Sequence, residues 1–170
     1  MAITAKITND CKRIIVKIKN APINLPNKVR ITNGSAAWED FFPGSSTTNP
    51  VWTKVVQTSD IGAENGIFHI VHLVDNEVAG HVAVLGICDI LCCLAKKIDD
   101  LLDCNCDCSK CASQLAEAQK IFLLIKAGQA ELAAYAKGGL LLDTEAAISN
   151  ATKKYDKAVE MCGGHCGCNC

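Results

Sequence analysis

The first half of the chain alternates apolar and polar residues with the two-residue period of half-buried β-strands. The run KRIIVKIK at residues 12–19 shows this best, because charged and β-branched residues take turns along it. Three further runs follow the same pattern, at residues 28–33, 53–58 and 66–75. Asp75 and Asn76 predict a tight hairpin turn into a last strand at about 77–85. Together these runs predict a small antiparallel β-sandwich-like domain over residues 1–82.

One stretch within this domain lacks a strand pattern. Residues 34–50 read GSAAWEDFFPGSSTTNP and are predicted to form a long loop that carries Trp38, Phe41 and Phe42. Exposed aromatic side chains often anchor protein interfaces, but these three residues could equally fill the core of the β domain. The sequence leaves both alternatives open.

From about residue 84 the apolar positions recur at helical spacing, which predicts an amphipathic helix that ends near Leu102. Cys88, Cys92 and Cys93 lie in this helix. Cys88 and Cys92 share one helical face and could hold a metal ion. Buried cysteine is more often a small apolar residue, however, and we interpret these three residues and Cys11 in that way.

Two more helices follow, each with a narrow apolar seam. The predicted seam of the first is Leu115, Ala118, Phe122, Ile125, Gln129 and Leu132, and that of the second is Ile148, Ala151, Tyr155, Ala158 and Cys162. Gly138 and Gly139 separate the two helices and predict an antiparallel helical hairpin. The predicted fold class is therefore α+β, with a helical domain at residues 83–170.

Two cysteine-rich segments flank the predicted hairpin, CNCDCSKC at residues 104–111 and CGGHCGCNC at residues 162–170. The Gly138–Gly139 break lies near the midpoint between them, so each arm has about 25 residues and spans roughly 37 Å. Arms of similar length bring the two segments together at the open end of the hairpin. A cross-link there closes a long loop and stabilises the fold most.

These segments supply enough ligands for two tetrahedral zinc ions per chain. The predicted ligands are Cys104, Cys106, Cys108, Cys111, Cys162, Cys166, Cys168 and Cys170, with His165 as a possible replacement for one of them. The N-terminus has no apolar signal segment, so the 12 cysteines favour a reducing compartment and bound metal. The alternatives are disulfides, which would close almost no loop between neighbouring cysteines, and a redox pair at Cys108 and Cys111.

Several functional classes find no support in the sequence. The formal net charge is −1 and the basic residues are scattered, so we expect no direct nucleic-acid binding. The most apolar run, residues 82–95, contains Asp89 and is shorter than the roughly 20 residues that a membrane helix needs. The chain has no recognisable catalytic motif, and all-thiolate zinc sites are usually closed and structural. We therefore expect neither an enzyme nor a small-molecule substrate.

The second half of the chain resembles a known class of protein. The segments CDILCCLAKKIDDLLDCNCDCSKC, LAEAQKIFLLIKAGQAEL and ATKKYDKAVEMCGGHCGCNC, after a β domain, resemble small cysteine-rich virion structural proteins of tailed bacteriophages. The resemblance covers roughly residues 66–170. It implies a repeated component of the capsid, neck or tail, assembled in the host cytoplasm with copies of itself and other virion proteins. The alternative is a cytoplasmic zinc-binding adaptor that recruits a protein partner.

Overall fold

The computed structural model describes residues 1–46, 48–102, 108–135 and 141–162. Within these ranges it leaves out the side chains of residues 98, 101–102, 108–111, 133–135 and 141–145. The described part contains two antiparallel sheets of three and four strands together with four helices. This arrangement confirms the predicted α+β class.

Strands and helices are largely separated along the chain. The strands are β1 Ala2–Ile7, β2 Arg13–Lys19, β3 Asn27–Asn33, β4 Ala36–Phe42, β5 Val51–Gln57, β6 Gly66–Val74 and β7 Glu77–Gly86. The helices are α1 Thr58–Ile61, α2 Cys88–Leu102, α3 Cys108–Tyr135 and α4 Leu141–Met161. The smaller sheet has the strand order β1-β2-β5, and the larger sheet has the order β4-β3-β6-β7.

The two sheets face each other across a shared apolar core. The fully buried members of this core come from both sheets: Ile14, Val16, Ile18, Val29, Ile31, Phe68 and Ile70. On one side of the core, Phe42 of β4 stacks on Trp52 of β5, with ring centroids 4.1 Å apart. Nearby, the Lys54 ammonium pairs with the Asp40 carboxylate at 2.5 Å and links the same two strands.

Strand β7 contributes to a second core on the other face of the larger sheet. Val82 faces the sandwich core, whereas Ala83 and Leu85 pack against the helices. The helical members of the second core are Ile90, Cys93, Ile121, Ile125, Leu132, Ala151, Tyr155 and Ala158. A strand that is covered on both faces needs apolar residues at nearly every position, which explains the run HVAVLG at residues 81–86. The molecule thus has three layers: small sheet, large sheet and helices.

The alternation of apolar and polar residues locates β2, β3, β5, β6 and β7 correctly. Asp75 and Asn76 have φ values of 52° and 64°, as the predicted hairpin turn requires. The prediction of a long loop at 34–50 is wrong, because β4 lies within it and pairs with β3. Trp38 and Phe42 of β4 pack on the sandwich core, whereas Phe41 points outwards and is 68% exposed.

The predicted seam of α3 is confirmed at Ile125 and Leu132, which are buried, but it is wrong in the first half of the helix. Leu115 and Phe122 are exposed, and Ile121 is buried in place of Phe122. The α3 helix packs on α4 and on β7 together, since Gly128 lies against both Ala151 and Leu85. Because α4 and β7 contact α3 from different sides, the buried face of α3 differs from the face that packing against α4 alone would bury. The predicted seam of α4 is confirmed, because Ala151, Tyr155 and Ala158 are buried.

Phe68 provides a test of the shared core. Replacing this fully buried residue with alanine leaves a cavity between the sheets and should lower the free energy of unfolding by about 3–5 kcal/mol. Urea denaturation would measure the change. The matched control is Phe41→Ala on an outward-facing strand position, which should cost less than about 1 kcal/mol. Equal losses in the two variants would contradict this assignment of the core.

Candidate functional site

The first half of α2 is the junction between the three layers. Cys88, the first residue of this helix, forms a disulfide with Cys11 in the turn between β1 and β2. The two Cα atoms are 6.1 Å apart, and 77 positions separate the residues in sequence. Cys11 adopts a positive φ of 52°, and its backbone N–H donates to the Thr8 carbonyl oxygen at 2.9 Å. This ordered turn fastens α2 to the sandwich.

A second disulfide fastens the same helix to the hairpin. Cys93 of α2 is bonded to Cys162, which follows α4, with Cα atoms 6.0 Å apart and a sequence separation of 69. Cys93 is 3% exposed and belongs to the helical core. Cys92, its neighbour, is disulfide-bonded as well. All three cysteines of α2, and Cys11 with them, therefore form covalent cross-links, so their interpretation as small apolar residues is wrong.

A buried hydrogen-bond network reinforces the junction between the two disulfides. The Tyr155 hydroxyl of α4 donates to Asp89 Oδ2 at 2.7 Å. Asp89 Oδ1 accepts from the backbone N–H of Ile90 at 2.8 Å, and the Asp89 N–H donates to the Asn65 side-chain oxygen at 3.2 Å. Burial, followed by the bond to Asp89, raises the pKa of Tyr155, so this hydroxyl keeps its proton. Asp89 thereby ties the β5–β6 connection and α4 to the start of α2.

These bonds overturn the prediction of structural zinc. Cys162 was expected to be a zinc ligand, but its sulfur is bonded to Cys93. Among the described residues, no group of three or more His, Cys, Asp or Glu side chains is placed to hold a metal ion. A cysteine in a disulfide has no thiolate to offer a metal. Disulfide bonds thus use the sulfurs of five cysteines: Cys11, Cys88, Cys92, Cys93 and Cys162.

The other predicted ligands lie outside the described residues. They are Cys104, Cys106, Cys166, Cys168, Cys170 and His165, together with the side chains of Cys108 and Cys111. The register of the hairpin shows which part of α3 lies beside Cys162. Lys154 of α4 pairs with Glu131 of α3 at 3.0 Å. Further along, Met161 lines a groove with Lys120 and Leu123. Cys162 is therefore level with the middle of α3 and with Cys93 of α2.

Sequence reasoning missed the cysteines that form these bonds. Cys11, Cys88 and Cys93 lie outside the two cysteine-rich segments, and no local spacing links them to their partners. One signal was present in the sequence, namely the even total of 12 cysteines, which also suits a disulfide framework. The partners themselves could be found only from the packing of α2 against both neighbours.

The histidines of β6 and β7 form a second cluster of titratable groups. His72 is fully buried, and its Nε2 lies 3.0 Å from the Asn27 side-chain oxygen. His69 lies on the opposite face of β6, with its ring 6.2 Å from that of His81. Burial lowers the pKa of all three, and the neighbouring His81 lowers that of His69 further. A neutral imidazole costs less to bury than a charged one, so the lowered pKa values fit the burial of these side chains.

Comparison of the chain with protein-family models and with curated proteins gives no match. Within the described part of the chain, none of the helices combines the length and apolar character that crossing a bilayer requires. The geometry of the site is therefore the basis for any assignment of function.

Removing the disulfide between α2 and α4 tests its role. The double variant Cys93→Ala/Cys162→Ala should lose about 2–4 kcal/mol of unfolding free energy, since the bond closes a long loop. Hydrogen exchange should quicken mainly in α4. The matched variant Cys11→Ala/Cys88→Ala should quicken exchange mainly in the β1–β2 turn and at the start of α2. Identical exchange maps for the two variants would contradict separate roles for the two bonds.

The buried hydroxyl of Tyr155 allows a second test. Tyr155→Phe removes the donor to Asp89 and leaves a buried carboxylate oxygen without that partner, which should cost about 1–3 kcal/mol. Thermal and urea unfolding of the oxidised protein would measure the loss. Asp156→Asn, at an exposed neighbouring position on α4, is the control and should be nearly neutral. A neutral result for Tyr155→Phe would show that the network contributes little.

Proposed function

We propose that the chain is a non-enzymatic structural component of a bacteriophage virion, present in many copies in the capsid, neck or tail. The observation that carries the proposal is the covalent bracing of all three layers through α2. Cross-links that close long loops disfavour the unfolded chain and suit a protein that must keep its shape without renewal. The resemblance of residues 66–170 to small cysteine-rich virion proteins supports the same assignment.

The proposed location is the virion, and the disulfides suggest an order of events. The host cytoplasm keeps thiols reduced, so assembly there would precede disulfide formation. Released particles enter an oxidising medium in which Cys88 and Cys93 can bond to Cys11 and Cys162. Bracing would then be completed in the mature particle, after the subunits have found their places.

Exposed apolar residues on α3 support self-association as the mode of assembly. Leu115, Phe122 and Leu123 are 48%, 51% and 64% exposed. Beside them runs an apolar groove between α3 and α4, lined by Lys120, Leu123, Leu124, Ala127, Lys157 and Met161. Exposed apolar residues beside an apolar groove mark interaction sites, and in a repeated virion component the occupant would be a neighbouring copy.

Native mass spectrometry and negative-stain electron microscopy of the oxidised protein test the proposal. We expect symmetric, high-copy assemblies, and Phe122→Asp should dissociate them because it places a charge in the apolar surface. Val78→Asp, at an exposed apolar residue of β7, is the matched control and should leave assembly unchanged. A monodisperse wild-type monomer would contradict the proposal and favour an adaptor that binds an unrelated protein.

A further inference from the structure

The outward face of the small sheet carries a row of positive charges. Residues paired across neighbouring strands point to the same side of a sheet, so the register assigns this face. Its cationic members are Lys6 of β1 and Arg13, Lys17 and Lys19 of β2, all of them exposed. We name these four residues the basic face.

The cations of the basic face are regularly spaced. Lys6 pairs with Ile15, so successive outward levels along β2 carry Arg13, Lys6, Lys17 and Lys19 in turn. Neighbouring levels are two residues, or roughly 7 Å, apart, and the row extends over roughly 20 Å. Within the three strands of the small sheet, one further residue is charged. It is Lys54, which pairs with Asp40 of the large sheet.

Carboxylates do not neutralise this row. The sequences of β1, β2 and β5 contain neither Asp nor Glu. Among the described residues, Lys6, Lys17 and Lys19 form no ion pair, and Arg13 has Asp10 of the adjoining turn at 4.0 Å. The large sheet differs, since its outward Lys28 and Arg30 both pair with Glu39. The strands of the small sheet thus carry charge of one sign, whereas those of the large sheet carry both signs, in a chain whose formal net charge is −1.

From this arrangement we propose that the basic face binds the phosphate backbone of duplex nucleic acid without sequence preference. Lysine and arginine side chains neutralise phosphates and release counterions, which drives binding of this kind. Thr4, Thr53 and Gln57 lie on the same face and add the hydroxyl and amide groups that commonly contact phosphates. This proposal replaces the sequence-based expectation of no nucleic-acid contact and does not depend on the proposed virion function.

The composition of the face favours duplex over single strands and over an acidic protein. No aromatic side chain points outwards from the small sheet, because its Trp52 turns inwards to Phe42. Proteins that hold single strands generally stack bases on aromatic residues. Lysine is depleted at protein–protein interfaces, whereas it supplies three of the four charges here. A regular row of lysines on the exposed face of a sheet therefore suits a continuous phosphate backbone best.

Fluorescence anisotropy with a 30-base-pair duplex of arbitrary sequence tests the proposal on the intact, oxidised chain. With about four phosphate contacts, log K should fall against log salt with a slope of about −3 to −4. Raising NaCl from 50 to 200 mM should then weaken binding about 100-fold. A second duplex of unrelated sequence should bind equally well. Absence of binding at 50 mM NaCl would overturn the proposal.

A matched pair of variants distinguishes the effect of the basic face on affinity from the effect of net charge. Lys6→Gln/Lys17→Gln/Lys19→Gln should lose at least about tenfold in affinity and leave a salt slope near −1. Lys96→Gln/Lys97→Gln/Lys153→Gln changes the net charge equally at helical positions away from the basic face and from the α3–α4 groove, and should stay within about threefold of wild type. Unchanged circular dichroism and melting temperature would establish folding of both variants. Equal losses in the two triple variants would overturn the assignment to this face.

Two further probes distinguish the kind of polyanion. A single strand of the same length should bind no more tightly than the duplex, because the face offers no stacking platform. Polyglutamate of matched charge should bind more weakly than the duplex. Tighter binding of polyglutamate would overturn the proposal in favour of an acidic protein partner, and tighter binding of the single strand would overturn the duplex assignment.

Discussion

The attachment of α2 is the constraint on which the rest of the structure depends. This short helix is covalently linked to the sandwich through Cys88 and to the end of α4 through Cys93. Between those two positions, Asp89 accepts one hydrogen bond from the Tyr155 hydroxyl of α4 and another from the backbone N–H of Ile90 at the start of α2. The six residues 88–93 of this helix therefore fix where the sandwich and the hairpin lie. With α2 uncoupled, the hairpin would lose these links and keep the apolar contacts that it makes with β7 in the helical core.

Strand β7 complements this junction from the sheet side. It places Val82 in the sandwich core and Leu85 in the helical core, so the two cores share one strand. Glycine at position 86 ends the strand where Glu64, Phe68 and Ile7 approach within 3.2 Å of any added Cβ atom. The chain can therefore enter α2 immediately beside the sandwich. The position of Cys88 next to Cys11 follows from this close passage of the backbone.

Patterns among neighbouring residues predict much of the fold. Features that depend on contacts between residues far apart in sequence could not be predicted. The strict alternation of β2 and the Asp75–Asn76 turn are decided by neighbouring residues, so both could be predicted. Strand β4 could not, because strands are depleted in residues such as Glu39 and Asp40, and the cations that pair with these two lie on other strands. The disulfides depend on tertiary proximity across 69 and 77 positions, for which clustered cysteines elsewhere in the sequence were a misleading guide.

The order of the layers also separates the two surfaces that we propose for binding. The basic face lies on the outer side of the small sheet, and the exposed apolar residues of α3 belong to the helical layer behind the large sheet. The sandwich core stands between them, so a nucleic acid on one side would leave the apolar side free for a neighbouring copy. The cations of β2 were inconspicuous in the sequence because every second residue between them is buried. Only strand pairing, which adds Lys6 from β1, turns their alternation into a continuous row.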